Sequence, residues 1–253
     1  MNNKNNPIKI GKLEQFVADF DMDMQLTRHR MPLKTRGKVA VIGSGPAGLT
    51  VAGDLSKMGF NVTVYEAEKE PGGILLYGIP EFRLPKKVVK KEIKKIEELG
   101  VHFVNDTVIG PEITLKNLFE QGFDAIFIGT GTAVSKSLDI PGHTLRGIAQ
   151  SHYFLRRVER YKEGELDRDE VYMNEGDTVL VIGSGNVAMD TARTAVRLIE
   201  IILKMNAALL MVSPFSENRS QKRSAKLLST ALSFSSLSGE ITLFFFMSSI
   251  ISA

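Results

Sequence analysis

The 253-residue chain contains no cysteine. That excludes disulfides, thiolate-held metal clusters and a redox-active cysteine pair within these residues. An excess of one charge is missing too: 32 Lys and Arg stand against 29 Asp and Glu, a formal net charge of +3. So small a surplus gives no argument for a nucleic-acid partner. The opening residues, MNNKNNPIKIG, lack the apolar core of a signal peptide. Nothing before residue 198 is apolar for long enough to span a bilayer. The expectation is a cytoplasmic protein that engages neither nucleic acid nor membrane. What is present is ordinary for a globular chain, 43% hydrophobic and 24% charged. The length suits one large domain or two small ones.

The most informative stretch is Lys38–Glu66, KVAVIGSGPAGLTVAGDLSKMGFNVTVYE. Lys38–Ile42 has the β-branched character of a buried parallel strand. Gly43-Ser44-Gly45-Pro46-Ala47-Gly48 follows at once. In this pattern Gly43 allows the tight turn, Gly45 the approach of a pyrophosphate, and Gly48 the close packing of helix on strand. The helix that follows offers free N–H groups and the positive end of its dipole to phosphates. Ala52, Leu55 and Met58 give it an apolar face, and Gly59 stops it. Asn61–Tyr65 reads as a second strand, with Glu66 at its carboxyl end to accept from both ribose hydroxyls. A lone GxGxxG is a weak signal; here strand, helix and acid all stand at the spacing that dinucleotide binding needs.

Before this unit, Ile10, Leu13, Phe16 and Val17 recur at helical spacing, which predicts a short amphipathic helix over Gly11–Asp21. Met22–Arg36 reads as a polar linker, with Arg28, His29 and Arg30 a solvated cluster in it. After Glu66, Pro71-Gly72-Gly73 is turn chemistry. The tract that follows is too rich in Gly and Pro for regular structure, yet it carries Ile74, Leu75, Leu76, Tyr77, Ile79 and Phe82. Two readings stand: an ordinary packed loop, or an apolar wall for a flat aromatic ring system. Pro85–Gly100 reads as a helix with Val89, Ile93 and Ile96 buried. Its lysines 86, 87, 90, 91, 94 and 95 fall largely on the other faces, either as a solvated surface or as a dock for an acidic partner.

Val101–Asn105 and Thr107–Ile109 read as short strands, Leu115–Gln121 as a helix and Asp124–Gly129 as a buried strand ending in Gly129-Thr130-Gly131. This alternation predicts an α/β fold with a mostly parallel sheet. Gly142–Gly176 reads as a charged, helix-rich connection with Tyr153, Phe154, Val158 and Tyr161 as its apolar stripe. The opening motif then recurs. Thr178–Ile182 is a strand, Gly183-Ser184-Gly185-Asn186-Val187-Ala188 a glycine turn, and a helix runs through Leu198. Gly183 lies 140 residues after Gly43. Two such units suggest two dinucleotides. The third glycine is now Ala188, a change common where the ligand carries a 2′-phosphate.

These motifs resemble the FAD-dependent NADPH oxidoreductase (small, or beta, subunit) family of glutamate synthase. Related chains are the large subunit of ferredoxin–NADP transhydrogenase and the flavin half of dihydropyrimidine dehydrogenase. The resemblance rests on PIKIGKLEQFVADF, VAVIGSGPAGLTVA, EKEPGGILLYGIPEFRLPK, FDAIFIGTGT with IPG after it, and VLVIGSGNVAMDTARTAVRL, and runs from about Pro7 to Leu198. It implies two Rossmann-like units, one for FAD and one for NADPH. By matching position, Gly43, Gly45, Pro46 and Ala47 would line the FAD pyrophosphate and Glu66 would hold the adenosine ribose. Gly73, Leu75, Gly78 and Arg83 would lie along the pyrophosphate and flavin side. Val108 would meet the adenine, and Thr130 and Gly131 would close over the FAD. Gly185, Asn186 and Val187 would receive the NADPH pyrophosphate. No side chain need transfer a proton, because hydride passes between the cofactors and the protein positions them. The partner implied is the glutamate synthase large subunit or another electron acceptor, such as ferredoxin or a sulfur compound.

Three departures from the family pattern set further expectations. The family's cysteine-rich domain for iron–sulfur clusters has no counterpart here, so the clusters expected in the family are not bound by this chain. After Leu198 the family's glycine, strand and basic pair for the 2′-phosphate give way to IEIILKMNAALLMVSPFSENRSQKRS. The late Gly-Asp motif that closes the family's FAD domain is not reached. From Ile199 on there is no aspartate, serine is dense, and the end reads FFFMSSIISA. The expected division is 1–36 helix and linker, 37–142 FAD domain, 143–198 connection and first half of the NADPH domain, and 199–253 an atypical tail of non-native sequence. Ala207–Val212 is a candidate for the missing strand, with Arg219, Lys222 and Arg223 as candidates for the basic pair. With the second unit incomplete, reduction by NADPH is expected to be slow or absent, and a remnant that at most binds FAD is the non-enzymatic alternative.

Overall fold

A computed structural model of the chain describes residues 7–24, 31–132, 134, 141–171, 173, 177–198 and 241–245. The N-terminal helix α1 spans Ile10–Met24. Strand β1 (Lys38–Ile42) leads into α2 (Pro46–Lys57) and β2 (Asn61–Tyr65). Pro46 occupies the first helical position, where its missing N–H costs nothing. Gly59, at φ +92°, turns the chain out of α2 as expected. Then come a single helical turn α3 (Ile74–Tyr77), helix α4 (Lys86–Glu98), β3 (His102–Val104), α5 (Leu115–Glu120) and β4 (Ala125–Ile128). Thr114 and Asn117 form a capping box at the start of α5.

These strands make one parallel sheet in the order β3-β2-β1-β4. β1 lies inside it, and four of its five residues are buried. A strand covered on both faces has to be apolar throughout, and KVAVI meets that demand. Val41, Val62, Val64, Ala52 and Val101 pack on one face; Ala40, Ile42, Tyr65 and Leu118 pack on the other. In register, Ile42 faces both Tyr65 and Ile128. Gly43, Glu66 and Gly129 therefore leave the sheet side by side at its carboxyl edge, where ligands of such sheets bind.

A second unit follows: β5 (Ile148–Gln150), α6 (Ser151–Lys162), a 3-10 turn at Arg168–Val171, β6 (Thr178–Ile182), α7 (Asn186–Leu198) and β7 (Ile241–Phe245). Its strands are parallel in the order β5-β7-β6. Phe154, Leu155, Val158, Val171, Met173, Val179, Val181, Ala188, Ala192 and Ala195 form its core. So α6 does more than connect: it covers the second unit.

Several expectations change. The second unit has a parallel neighbour for β6 after all. It comes from Ile241–Phe245, far along the tail, with Ile182 opposite Phe245 just as Ile42 is opposite Tyr65. The candidate strand Ala207–Val212 and the candidates Arg219, Lys222 and Arg223 lie outside the described residues, as does the Arg28, His29, Arg30 cluster. Ile74–Tyr77 is helical despite the surrounding Gly and Pro, because Gly73 at φ +52° makes the sharp entry. Thr107–Ile109 is not a strand; Ile109 makes only an isolated bridge to Ile113. Met58 caps α2 from the exposed side, and Tyr153 stays exposed beneath the Arg157 guanidinium. Lys86 departs from the solvated lysine face and is buried. The apolar stripe of α1 is exposed, Phe16 and Phe20 stacking on each other.

Candidate functional site

The first glycine turn holds the geometry that its residues predict. Gly43 donates its N–H to the Tyr65 carbonyl at 2.8 Å and stands at φ +93°. A Cβ there would lie 2.6 Å from the Gly129 carbonyl oxygen. A Cβ on Gly48 would overlap the Gly43 carbonyl oxygen, so the close approach of helix to strand requires glycine. Gly45 is different: a Cβ would meet nothing within 4 Å. Its freedom from a side chain leaves open space in front of α2, on the side where the first-turn N–H groups have no intrahelical acceptors. Pro46 and Ala47 are exposed at the same opening.

Glu66 is buried at the end of β2. Its Oε2 accepts from the Ser44 N–H at 2.9 Å and from the Ser44 hydroxyl; its Oε1 accepts from the Glu68 N–H at 2.9 Å. These contacts fix the carboxylate at the mouth of the turn and leave acceptor capacity on each oxygen. The Ser44 hydroxyl also accepts from the Gly72 N–H at 2.8 Å, which ties the following loop to the turn. A Cβ on Gly73 would stand 2.9 Å from Gly45 Cα. Gly73 therefore abuts the turn, with Leu75 and Gly78 half-buried in the segment after it. At the other border, Gly129 donates to the Ile42 carbonyl at 2.8 Å, and Thr130 and Gly131 continue, exposed, along the carboxyl edge. Val108 is exposed on the stretch beyond β3. A pyrophosphate fits the space beside Gly45, and an adenosine ribose fits a carboxylate held as Glu66 is.

The second turn repeats the layout with fewer parts. Gly183 leaves β6 at φ +138°, and Met189 donates to the Gly185 carbonyl at 3.1 Å as α7 begins. Gly185 and Val187 are half-buried and Asn186 is exposed at the helix start. Ala188 is buried against the core, the place that Gly48 fills in the first unit.

Arg83, expected on the flavin side, turns its guanidinium to α7 and donates from Nη1 to Asp190 Oδ2 at 2.7 Å. Phe82, noted in the sequence only as an apolar loop residue, lies under two guanidiniums, Arg193 at 4.1 Å and Arg197 at 4.3 Å from its ring centre. Lys86 pairs with Glu159 at 3.6 Å and donates to the Leu75 carbonyl at 3.2 Å. Burial pulls its pKa below the ordinary lysine value, and Glu159 opposes that shift. Tyr77, also buried, accepts from the Glu70 N–H at 3.0 Å, and burial raises its phenol above the ordinary value. Sequence spacing gave no signal for these cross-unit pairs, since Arg83 and Asp190 are 107 residues apart.

A parallel sheet with a glycine turn at its carboxyl edge, repeated once in the chain, defines an α/β protein built to hold dinucleotides. Residues 37–229 match the family described as pyridine nucleotide-disulphide oxidoreductase, and the chain belongs to that family. It is 38% identical, over 74% of its length, to the NAD-dependent dihydropyrimidine dehydrogenase subunit PreT of Escherichia coli, and covers 43% of that protein. It is 36% identical, over 75% of its length, to the glutamate synthase [NADPH] small chain of Bacillus subtilis, covering 39% of it. The chain thus spans about two fifths of the length of these two relatives. Among solved structures, FprA of Mycobacterium tuberculosis in complex with NADPH aligns with a TM-score of 0.52 at 28% identity, over 63% of this chain and 36% of that one. The family match runs past Leu198 to residue 229. The disulphide in the family's description has no counterpart in a chain without cysteine. Among the described residues, no helix is long and apolar enough to cross a membrane, and no cluster of His, Asp or Glu could hold a metal ion.

Proposed function

We propose that this chain is the flavin-bearing part of an NADPH-dependent oxidoreductase subunit, with FAD on the first glycine turn and NADPH on the second. The observation that carries the reading is the open space at Gly45 together with the buried carboxylate of Glu66. A carboxylate favours an unphosphorylated ribose, so the first turn takes FAD in preference to NADPH. Gly43, Pro46 and Ala47 complete the pyrophosphate cradle. Gly73, Leu75 and Gly78 border it, Val108 serves the adenine, and Thr130 and Gly131 close the other side. Gly185, Asn186 and Val187 take the second pyrophosphate. When bound, FAD supplies the two-electron acceptor for hydride from the nicotinamide. The residues of the chain bind and orient, and exclude water; none is required to move a proton.

The electrons then pass to a partner. Glutamate formation, as in the glutamate synthase small chain, is the assembly we favour. The comparable identity to a dihydropyrimidine dehydrogenase subunit supports a second acceptor of the same electron-transfer kind. Thiolate-held iron–sulfur clusters would belong to the partner or to segments outside these residues, since the chain has no cysteine. The domain division at 142 is part of the proposal, with β7 counted in the second domain because it lies in that sheet. Flavin content of the purified chain, followed by anaerobic bleaching with NADPH, tests it. Stoichiometric FAD that NADPH bleaches, β7 having supplied the strand whose absence set the expectation of slow reduction, is the expected result; a flavin-free chain that takes up no added FAD would overturn it.

A further inference from the structure

One segment touches the first glycine turn and the helix that follows the second. At its start, Gly72 donates to the Ser44 hydroxyl and Gly73 abuts Gly45, so residues 72–73 rest on the first turn. Ten residues later, Arg83 reaches Asp190, which lies on α7 five residues after Gly185 of the second turn. Between and beside them, Phe82 sits under Arg193 and Arg197, and Lys86 pairs with Glu159 on α6. Tyr77 donates to Glu165 at 3.5 Å. Arg156 of α6 pairs with Glu68, two residues beyond Glu66. With Lys90–Glu163 at 3.4 Å, the contacts between the units include five ion pairs or hydrogen bonds and two cation–π contacts, and residues 77–86 make five of these seven.

We propose that residues 72–86 are a strap that sets the angle between the two units, with Phe82, Arg83 and Asp190 as its positioning residues. This rests on the assignment of FAD and NADPH to the two turns and says how they are held in register for hydride transfer. The physical argument is the burial of Asp190, which is 4% exposed. A carboxylate so placed depends on its cation for as long as the units are together, and the 2.7 Å charge-assisted pair forms only in the arrangement that brings Arg83 onto α7. The Phe82 ring under the Arg193 and Arg197 guanidiniums adds a second contact on the same helix, of a different kind. Misplacing reacting groups by about 1 Å costs on the order of a hundredfold in rate, so a strap of this kind has a direct kinetic consequence.

The cysteine-free chain allows a clean test. Lys116→Cys on α5 and Val196→Cys on α7 place spin labels at exposed positions of the two units. Pulsed electron–electron resonance on the full chain should give one narrow distance distribution. Asp190→Asn with Phe82→Leu should broaden it at least about twofold, with circular dichroism unchanged. Exchanging the charges, Arg83→Asp with Asp190→Arg, should narrow it again. In the flavin-loaded chain the Asp190→Asn variant should lose about tenfold in kcat with KM held within about twofold, because orientation and not binding is lost. An unchanged distribution in every variant would overturn the strap, as would a loss expressed only in KM. If the chain binds no flavin, the distance result still stands, and the failure falls on the cofactor assignment instead.

Discussion

The two units use one motif to different degrees of completion. In the first, strand, turn, helix, strand and acid are contiguous from Lys38 to Glu66, and every part meets its neighbour within that span. In the second, β6 and α7 are contiguous, but the neighbouring strand arrives from Ile241–Phe245. Gly48 is replaced by Ala188. The residue after β2 is the acid Glu66, whereas the residue after β7 is Phe246. In the proposed reading the first unit selects an unphosphorylated ribose through Glu66, and among the described residues the second turn contributes a helix N-terminus, worth about 0.3–1 kcal/mol to an anion.

The comparison breaks most sharply at the third position of the turn. Gly48→Val should destabilise the chain by more than about 3 kcal/mol in urea unfolding, because the side chain would overlap the Gly43 carbonyl oxygen. An unchanged midpoint would mean that helix and strand are not in the close contact described. Glu66→Ala comes next. It should weaken FAD binding by roughly 1–3 kcal/mol in a titration of the apoprotein, the range for hydrogen bonds to charged groups. Unaltered affinity would move the ribose contact elsewhere.

In the second unit the reciprocal change should be small. Ala188→Gly makes the second turn read like the first, yet it removes a buried methyl and puts glycine inside α7. A loss of about 1 kcal/mol in thermal unfolding is expected, without tighter NADPH binding; a gain in affinity would show that the alanine was the obstacle. The smallest effect concerns the strap. The buried Tyr77 phenol titrates above its ordinary value of 10.0. A raised native pKa contributes stability that is whole below pH 10 and lost as the pH rises through the native value. Tyr77→Phe should therefore flatten the fall in stability above pH 10 while leaving neutral-pH unfolding within about 1 kcal/mol of the parent; an identical alkaline slope would remove Tyr77 from the account.

The boundaries of β1, β2, β6 and α7 were legible because their signals are local. A β-branched run, a glycine turn and a helical period specify such elements within a few residues. Expectations failed where distant partners decide. By spacing Lys86 belongs among six solvated lysines, but Glu159 of another helix gives it a buried partner. Spacing also puts Tyr153 in the stripe of α6, yet Leu155 takes the buried place and Tyr153 faces solvent with Arg157. The strand at Ile241–Phe245 carried no glycine turn to announce it. Around the first turn, the places of Gly43, Gly48 and Glu66 in the fold follow from local spacing, while the contacts of Phe82 and Arg83 depend on α7, more than a hundred residues away.

The central claim is a division of labour between the turns, and one paired measurement tests it. Gly45→Val and Gly185→Val place the same side chain at the same position of each turn. Flavin content and anaerobic bleaching by NADPH are read on both. The account predicts that Gly45→Val purifies without flavin, while Gly185→Val keeps a full complement that NADPH no longer bleaches. Flavin retained in Gly45→Val, or lost from a folded Gly185→Val, would contradict it.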